Sequence, residues 1–270
     1  MTNFAVGYSR TEEGWIKFPT DQQDRKNLFF PDEVMRHPAK MNFHLQQAII
    51  EFVAKEGETI LDPFGGTGTL MIAALQGMRV VLIEIENGYH QLEIKAKENL
   101  NAQVPGAGDL VILLHGDNRL LLPLPCDHII TSPPYAGAMN IGRIRKKRED
   151  APDEWLVEMD KQMSEYSKSP RNLSKLNTFL YNMEMEKIYR LCSRSIRIGG
   201  TMTTVVKDRI RGGNRVYLGR WADKVCKQLG MELVIWEKSY VLGAGFTKMA
   251  RSKGDETVDD EDILVYRRVK

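Results

Sequence analysis

Apolar and polar positions along this chain fall into blocks that alternate between strand length and helix length. Leu45, Ile49, Phe52 and Val53 share one helical face, with Gly57 beyond the end of that helix. Thr59, Ile60 and Leu61 then read as the end of a buried strand, which Asp62-Pro63 stops because proline cannot donate to a sheet ladder. A helix of small and apolar residues over 70–75 starts at Thr69 and closes at Gly77. The run V-V-L-I-E-I over 80–85 predicts a second strand, and Tyr89, Leu92, Ala96 and Leu100 follow at helical spacing that suits packing. Further strands are predicted over 110–114, 126–130 and 201–206. A helix from Phe179 to about Arg197 should end before Gly199-Gly200, and another should cover 217–229. Strands over 232–240 and 263–268 would form an antiparallel pair closing the sheet, with 243–262 a charged loop between them. Such alternation predicts an α/β fold.

Two regions break the rhythm. Residues 1–36 are polar with scattered aromatics (Phe4, Tyr8, Trp15, Phe18, Phe29, Phe30) and no period, so they read as an arm packed on a core of 37–270. Residues 136–178 are too long for an ordinary connection and read as a functional insertion. Composition changes this picture little. A length of 270 residues suits one sizeable core, and a net charge of +2 is too small to argue by itself for a polyanionic partner. Cys126, Cys192 and Cys226 are widely spaced and odd in number, giving neither a disulfide framework nor a metal site; a reducing cytoplasm is expected. No apolar run approaches membrane-spanning length, and the N-terminus lacks a signal-peptide core.

Candidate chemistry begins at the turn after the first strand. Gly65, Gly66 and Gly68 allow positive φ and a close approach of ligand to bare backbone. No Gly-Lys-Ser/Thr follows, so this is not a phosphate-cradling loop, and the spacing departs from the dinucleotide fingerprint. A ligand without phosphate fits better. At the end of the second strand Glu84, or Glu86 as the fallback, could accept hydrogen bonds from both hydroxyls of a ribose, or simply be a solvated strand-end carboxylate. After the third strand come Asp117 and Asn118, either of which could instead cap a helix.

The fourth strand delivers Thr131-Ser132-Pro133-Pro134-Tyr135. Two prolines fix φ twice and remove two donors, leaving rigid carbonyls at the carboxyl end of the sheet, where ligands of such folds bind. An exocyclic base amine is a poor nucleophile because its lone pair is delocalised into the ring. Acceptors at the Ser132 hydroxyl and the Pro133 carbonyl could take its two N–H bonds and aim the nitrogen, by orientation and preorganised electrostatics without a metal. Tyr135 would offer a flat face to a base swung out of its helix.

Three stretches carry a resemblance to one family. H-P-A-K (from His37-Pro38), D-P-F-G-G-T-G-T (Asp62, Pro63, Phe64, Gly65, Gly66, Thr67, Gly68, Thr69) and T-S-P-P-Y resemble the motifs of amino-group DNA methyltransferases, which bind S-adenosylmethionine (AdoMet). The resemblance implies a Rossmann-like methyltransferase fold, with a mostly parallel seven-stranded sheet and an antiparallel edge strand. It implies that His37 and Pro38 serve the methionine end of the cofactor, although an extended loop would explain them too. It places Asp117 or Asn118 near the adenine amino group. Ser132, Pro133, Pro134 and Tyr135 become the catalytic motif. Ser before Pro-Pro-Tyr leans to cytosine N4, with adenine N6 in DNA, or a guanine or adenine amine in RNA, as the alternatives. The cofactor motif precedes the S-P-P-Y motif, the reverse of many cytosine-N4 enzymes, which loosens the assignment of base. DNA is the expected partner, RNA the second choice, in a restriction-associated or a solitary role. In the insertion, Arg143, Arg145, Lys146, Lys147 and Arg148 form a basic run that would contact phosphates, or else a solvated face. The loop over 207–213 is similar to one that helps line the base pocket in the family.

Overall fold

The protein is described here from a computed structural model covering residues 4–36, 40–135, 168–211, 214–241 and 257–270. Its core is a seven-stranded sheet of β1 (Thr59–Asp62), β2 (Arg79–Glu84), β3 (Val111–His115), β4 (Cys126–Thr131), β5 (Ile196–Val206), β8 (Met231–Tyr240) and β9 (Asp260–Arg268), in the order β3-β2-β1-β4-β5-β9-β8. The first five are parallel; β9 is antiparallel to β5, and the edge strand β8 is antiparallel to β9. This is the expected mostly parallel sheet. Chain order reverses between β1 and β4, which opens a crevice at their carboxyl ends.

Both faces of the sheet are covered, which is why its strands read as near-continuous apolar runs. Successive residues alternate between the two sides: Ile60, Val80 and Leu82 enter one core, Leu61, Val81 and Ile83 the other. On the first side pack α2 (Phe43–Val53), α3 (Asn87–Gln103) and the N-terminal segment, through residues such as Leu45, Ile49, Leu100, Phe4 and Phe29. On the second side pack α5 (Thr178–Ser195) and α6 (Leu218–Gln228), through Met185, Ile188, Ala222 and Cys226. All three cysteines are free and buried. Among the described residues no helix is long and apolar enough to cross a membrane.

The N-terminal segment also covers the exposed edge. Ile16 donates its N–H to the Lys238 carbonyl at 2.8 Å and accepts from the Tyr240 N–H at 2.8 Å, so part of the unpaired rim of β8 is occupied. Within this segment lies the short helix α1 (Gln22–Lys26), whose Arg25 is fully buried.

The helix expected after the glycine turn is present as a 3-10 helix, Thr69–Gln76, closing at a left-handed Gly77. Two local expectations are corrected. Gly199-Gly200 does not separate a helix from a strand: β5 starts at Ile196 and runs through both. A Cβ on Gly200 would collide with the Asp127 carbonyl of β4, so the glycine permits close strand contact beside the register shift between Cys126 and His128. The basic stretch 207–213 holds a strand, β6 (Arg209–Arg211), which pairs antiparallel with β7 (Asn214–Val216). His37, Pro38, the basic run Arg143–Arg148 and most of the insertion lie outside the described residues.

Candidate active site

The site grows from the end of β1. Asp62 ends that strand, and its Oδ1 accepts from the Phe64 N–H at 2.9 Å and from the Thr131 hydroxyl at 2.7 Å. The carboxylate thereby starts the turn and ties β1 to β4. Gly65 donates its N–H to the Ile83 carbonyl at 2.9 Å, holding the turn over the end of β2. The glycines there answer different demands. A Cβ on Gly65 would overlap a carboxylate oxygen of Glu93, whereas Gly66 has φ 58°, in the left-handed region.

Glu84, at the end of β2, accepts from the Gly66 N–H and, with its other oxygen, from the Glu86 N–H, each at 2.7 Å. Beneath the turn Glu93 of α3 is fully buried, and its Oε1 has no hydrogen-bond partner among the described residues. Asp62, Glu84 and Glu93 form no ion pair with a lysine or arginine among the described residues. Burial therefore raises all three: Asp62 to about 6, Glu84 to about 8, and Glu93 well above its ordinary value. For Glu84 the Glu86 and Gly66 N–H groups pull the other way, while the Glu93 and Glu86 charges add to the rise. Around the turn, then, lie three buried carboxyls without a lysine or arginine partner among the described residues, and burial favours their neutral forms.

Two hollows meet here. The larger, about 660 Å³, is lined by Pro63, Phe64, Gly66, Glu84, Asp117, Asn118, Ser132 and Pro134 of the predicted residues. The second, about 380 Å³, takes Asp62, Phe64, Gly65, Gly66, Thr67, Thr69 and Ser132. Phe64, Gly66 and Ser132 border both. Gly68, Pro133 and Tyr135 line neither; the Tyr135 hydroxyl accepts the Lys207 backbone N–H at 3.0 Å.

Several predicted residues are engaged by protein partners. Asp117 caps the short helix α4 (Asn118–Leu121) by accepting from the Arg119 N–H, and its carboxylate also pairs with the Arg119 guanidinium at 2.7 Å. Burial works against ionisation there, but the Arg119 contacts prevail and hold the carboxyl below its usual range. Asn118 donates its amide to the Pro63 carbonyl at 2.7 Å, pinning the turn. Thr69 accepts from Arg25 at 3.0 Å. Glu86 borders the larger hollow, but its carboxylate accepts from the backbone of Lys168 and Ser169 and from the Asn172 side chain.

The lining also includes residues that the sequence reading left out of the site. Tyr89, assigned there to packing, borders the larger hollow, as do Arg119, Arg171, Asn172 and Leu173. Lys40, Met41 and Gln46 border the smaller one. Gln46 carried a usable signal: it is a polar residue at a buried position of the helix predicted before β1. Arg25 and Asn172 carried none, because each reaches the site from a segment without periodicity.

Residues 8–96 match the N6/N4 methyltransferase family, described as DNA methylase, which bears out the family resemblance over that part of the chain. The tRNA (guanine(10)-N2)-dimethyltransferase of Methanothermobacter thermautotrophicus is 36% identical over 101 residues, covering 37% of this chain. The chain spans only 29% of that relative's length. Among solved structures, a methyltransferase from Pyrococcus furiosus aligns with a TM-score of 0.52 at 12% identity, covering 92% of this chain and 94% of its own. The [4+2]-cyclase SpnF aligns at 0.54 and 14% identity, covering 94% and 98%. A shared fold does not settle a reaction, as the cyclase illustrates. The family match over residues 8–96 and the sheet order agree with the class of AdoMet-dependent methyltransferases and with S-adenosylmethionine as the cofactor of such a fold.

Proposed function

We propose that the protein transfers a methyl group from AdoMet to an exocyclic amine of a nucleobase, cytosine N4 in DNA being the first reading. The observation that carries the proposal is the position of Ser132, which borders both hollows together with Gly66. The residues present fit the cofactor. The bare backbone of Gly65 and Gly66 admits a close ligand, Glu84 stands at the strand end suited to a ribose, and Asp62, with no basic partner among the described residues, suits a cation. The cofactor supplies an electrophilic methyl on a positively charged sulfur.

The chain's own part is to orient and polarise the amine. The Ser132 hydroxyl accepts one N–H and the Pro133 carbonyl the other, which localises the nitrogen lone pair and directs it along one line. Proline at 133 and 134 keeps those acceptors from rotating away. With its hydroxyl tied to the Lys207 N–H, Tyr135 is held still beside the motif. Cytosine is favoured by serine before Pro-Pro-Tyr, and DNA by the description of the matching family.

A second reading has its own support. The archaeal relative is by name a tRNA guanine-N2 dimethyltransferase, so a guanine or adenine amine in RNA is the competing substrate. The test is incubation with labelled AdoMet and either DNA or tRNA, followed by mass spectrometry of the digested nucleosides. N4-methylcytosine from DNA is the expected product, and N2-methylguanosine from tRNA would replace the first reading with the second. Label in neither polymer would refute a nucleic-acid substrate.

A further inference from the structure

We infer that Gln46 is a cofactor-binding residue, its side-chain amide donating to the carboxylate at the methionine end of AdoMet. The inference rests on the cofactor reading above and assigns a residue that neither the motifs nor the family match singles out. α2 buries Leu45, Ala48, Ile49 and Ile50, and among these apolar neighbours Gln46 is only 2% exposed. Its Nε2 makes no hydrogen bond among the described residues. Buried donors in folded proteins nearly always have partners, and one left bare costs free energy that packing has to offset. A donor kept in that state on the wall of a hollow is accounted for by a ligand that accepts from it.

The surroundings identify the ligand's chemistry. Lys40 borders the smaller hollow together with Gln46, and the buried guanidinium of Arg25 donates to Thr69 of its lining and to the Met41 carbonyl. Lys40 donates to the Met35 carbonyl and Arg25 pairs with Asp21, so both cations are held in position. The hollow also borders Asp62, a buried carboxylate with no basic partner among the described residues. A bare donor beside fixed positive charge, with an uncompensated carboxylate in the same hollow, matches a zwitterion. The carboxylate of an α-amino acid would meet Gln46 and its ammonium Asp62. Ser132 borders this hollow as well as the larger one, so one ligand can span both past Gly66.

Calorimetry with AdoMet and with decarboxylated AdoMet, which keeps the sulfonium and the amine but lacks the carboxylate, tests this directly. Gln46→Leu should weaken AdoMet about tenfold, the usual consequence of losing a hydrogen bond to a charged group, and leave the decarboxylated ligand unchanged. Gln46→Glu keeps the size, sets like charges together, and should weaken AdoMet further while sparing the decarboxylated ligand. Wild-type protein should itself prefer AdoMet, which supports the inference even if a variant fails to fold. Equal loss for both ligands, unchanged AdoMet affinity in Gln46→Leu, or no wild-type preference would overturn it. Failure of the wild-type protein to bind either ligand would instead overturn the cofactor reading.

Discussion

The two ends of β1 and β4 carry similar numbers of carboxylates and treat them in opposite ways. At the amino ends Arg197 pairs with both Glu58 and Asp127. Asp127 also accepts from the Thr59 N–H at 2.7 Å, and His128 lies between Thr201 at 2.9 Å and Glu58 at 3.1 Å. Although burial opposes it, the contacts from His128, Lys55 and Arg197 hold the Glu58 carboxyl below its usual range. Around the carboxyl ends Asp62, Glu84 of β2 and Glu93 of α3 have no lysine or arginine partner among the described residues, and burial raises them. One end satisfies its charges internally and serves stability. The other leaves charge and a hydrogen-bond donor unsatisfied, and so is built to receive something. Local instability of this kind collects where ligands bind.

The largest effect that would sharpen this contrast is expected at the turn. Gly66→Val forces a β-branched residue to a φ of 58° in the cofactor hollow, and AdoMet binding should fall below calorimetric detection. Retained binding would mean that the ligand lies elsewhere. Next comes Ser132→Ala, expected to lower turnover about a hundredfold with little change in AdoMet affinity, since the partner proposed for it is the reacting amine. Equal losses in turnover and cofactor affinity would count against that role.

A smaller effect concerns pH. Glu84 is raised on folding from the ordinary 4.5 to about 8, so the stability it contributes is complete below 4.5 and is lost as pH rises through about 8. Thermal melting of the ligand-free protein should therefore fall between these values. In Glu84→Gln the starting stability should be lower by about 1–3 kcal/mol, because an amide donor then faces a backbone donor, but the decline with pH should be shallower. An unchanged slope would assign the pH dependence to other groups. Smallest is Arg197→Ala at the paired end. The Arg197 side chain is half-exposed, so about 1 kcal/mol or less of stability should be lost, with AdoMet binding unaffected. Weakened AdoMet binding in this variant would break the division between the two ends.

Much of this was legible in the chain because it depends on neighbours in sequence. The apolar runs at β1 and β2, the proline stop at Pro63, the glycines at 65, 66 and 68, and the rigid Ser132-Pro133-Pro134 stretch each follow from local sterics and period. Less could be read where a residue's meaning depends on a distant strand. Gly200 resembled a helix terminator, yet it is a point where β5 presses on the Asp127 carbonyl. Glu86 was a second choice for the ribose, yet its oxygens hold Lys168, Ser169 and Asn172, some eighty residues away in the chain.

By itself, then, the sequence determined which segments could be strands, where the backbone must turn, and which motif holds rigid acceptors at the carboxyl end of the sheet. Tertiary structure decided the company those motifs keep. It inserted β9 between β5 and β8, and it brought Arg25 from the N-terminal segment and Asn172 from the end of the insertion to the site. Among the described residues it also left the Gln46 Nε2 without an acceptor and Asp62 without a basic partner. The physical reason is that backbone preference and amphipathic period act over a few residues. Whether a buried charge or donor is satisfied depends on every segment that packs against it.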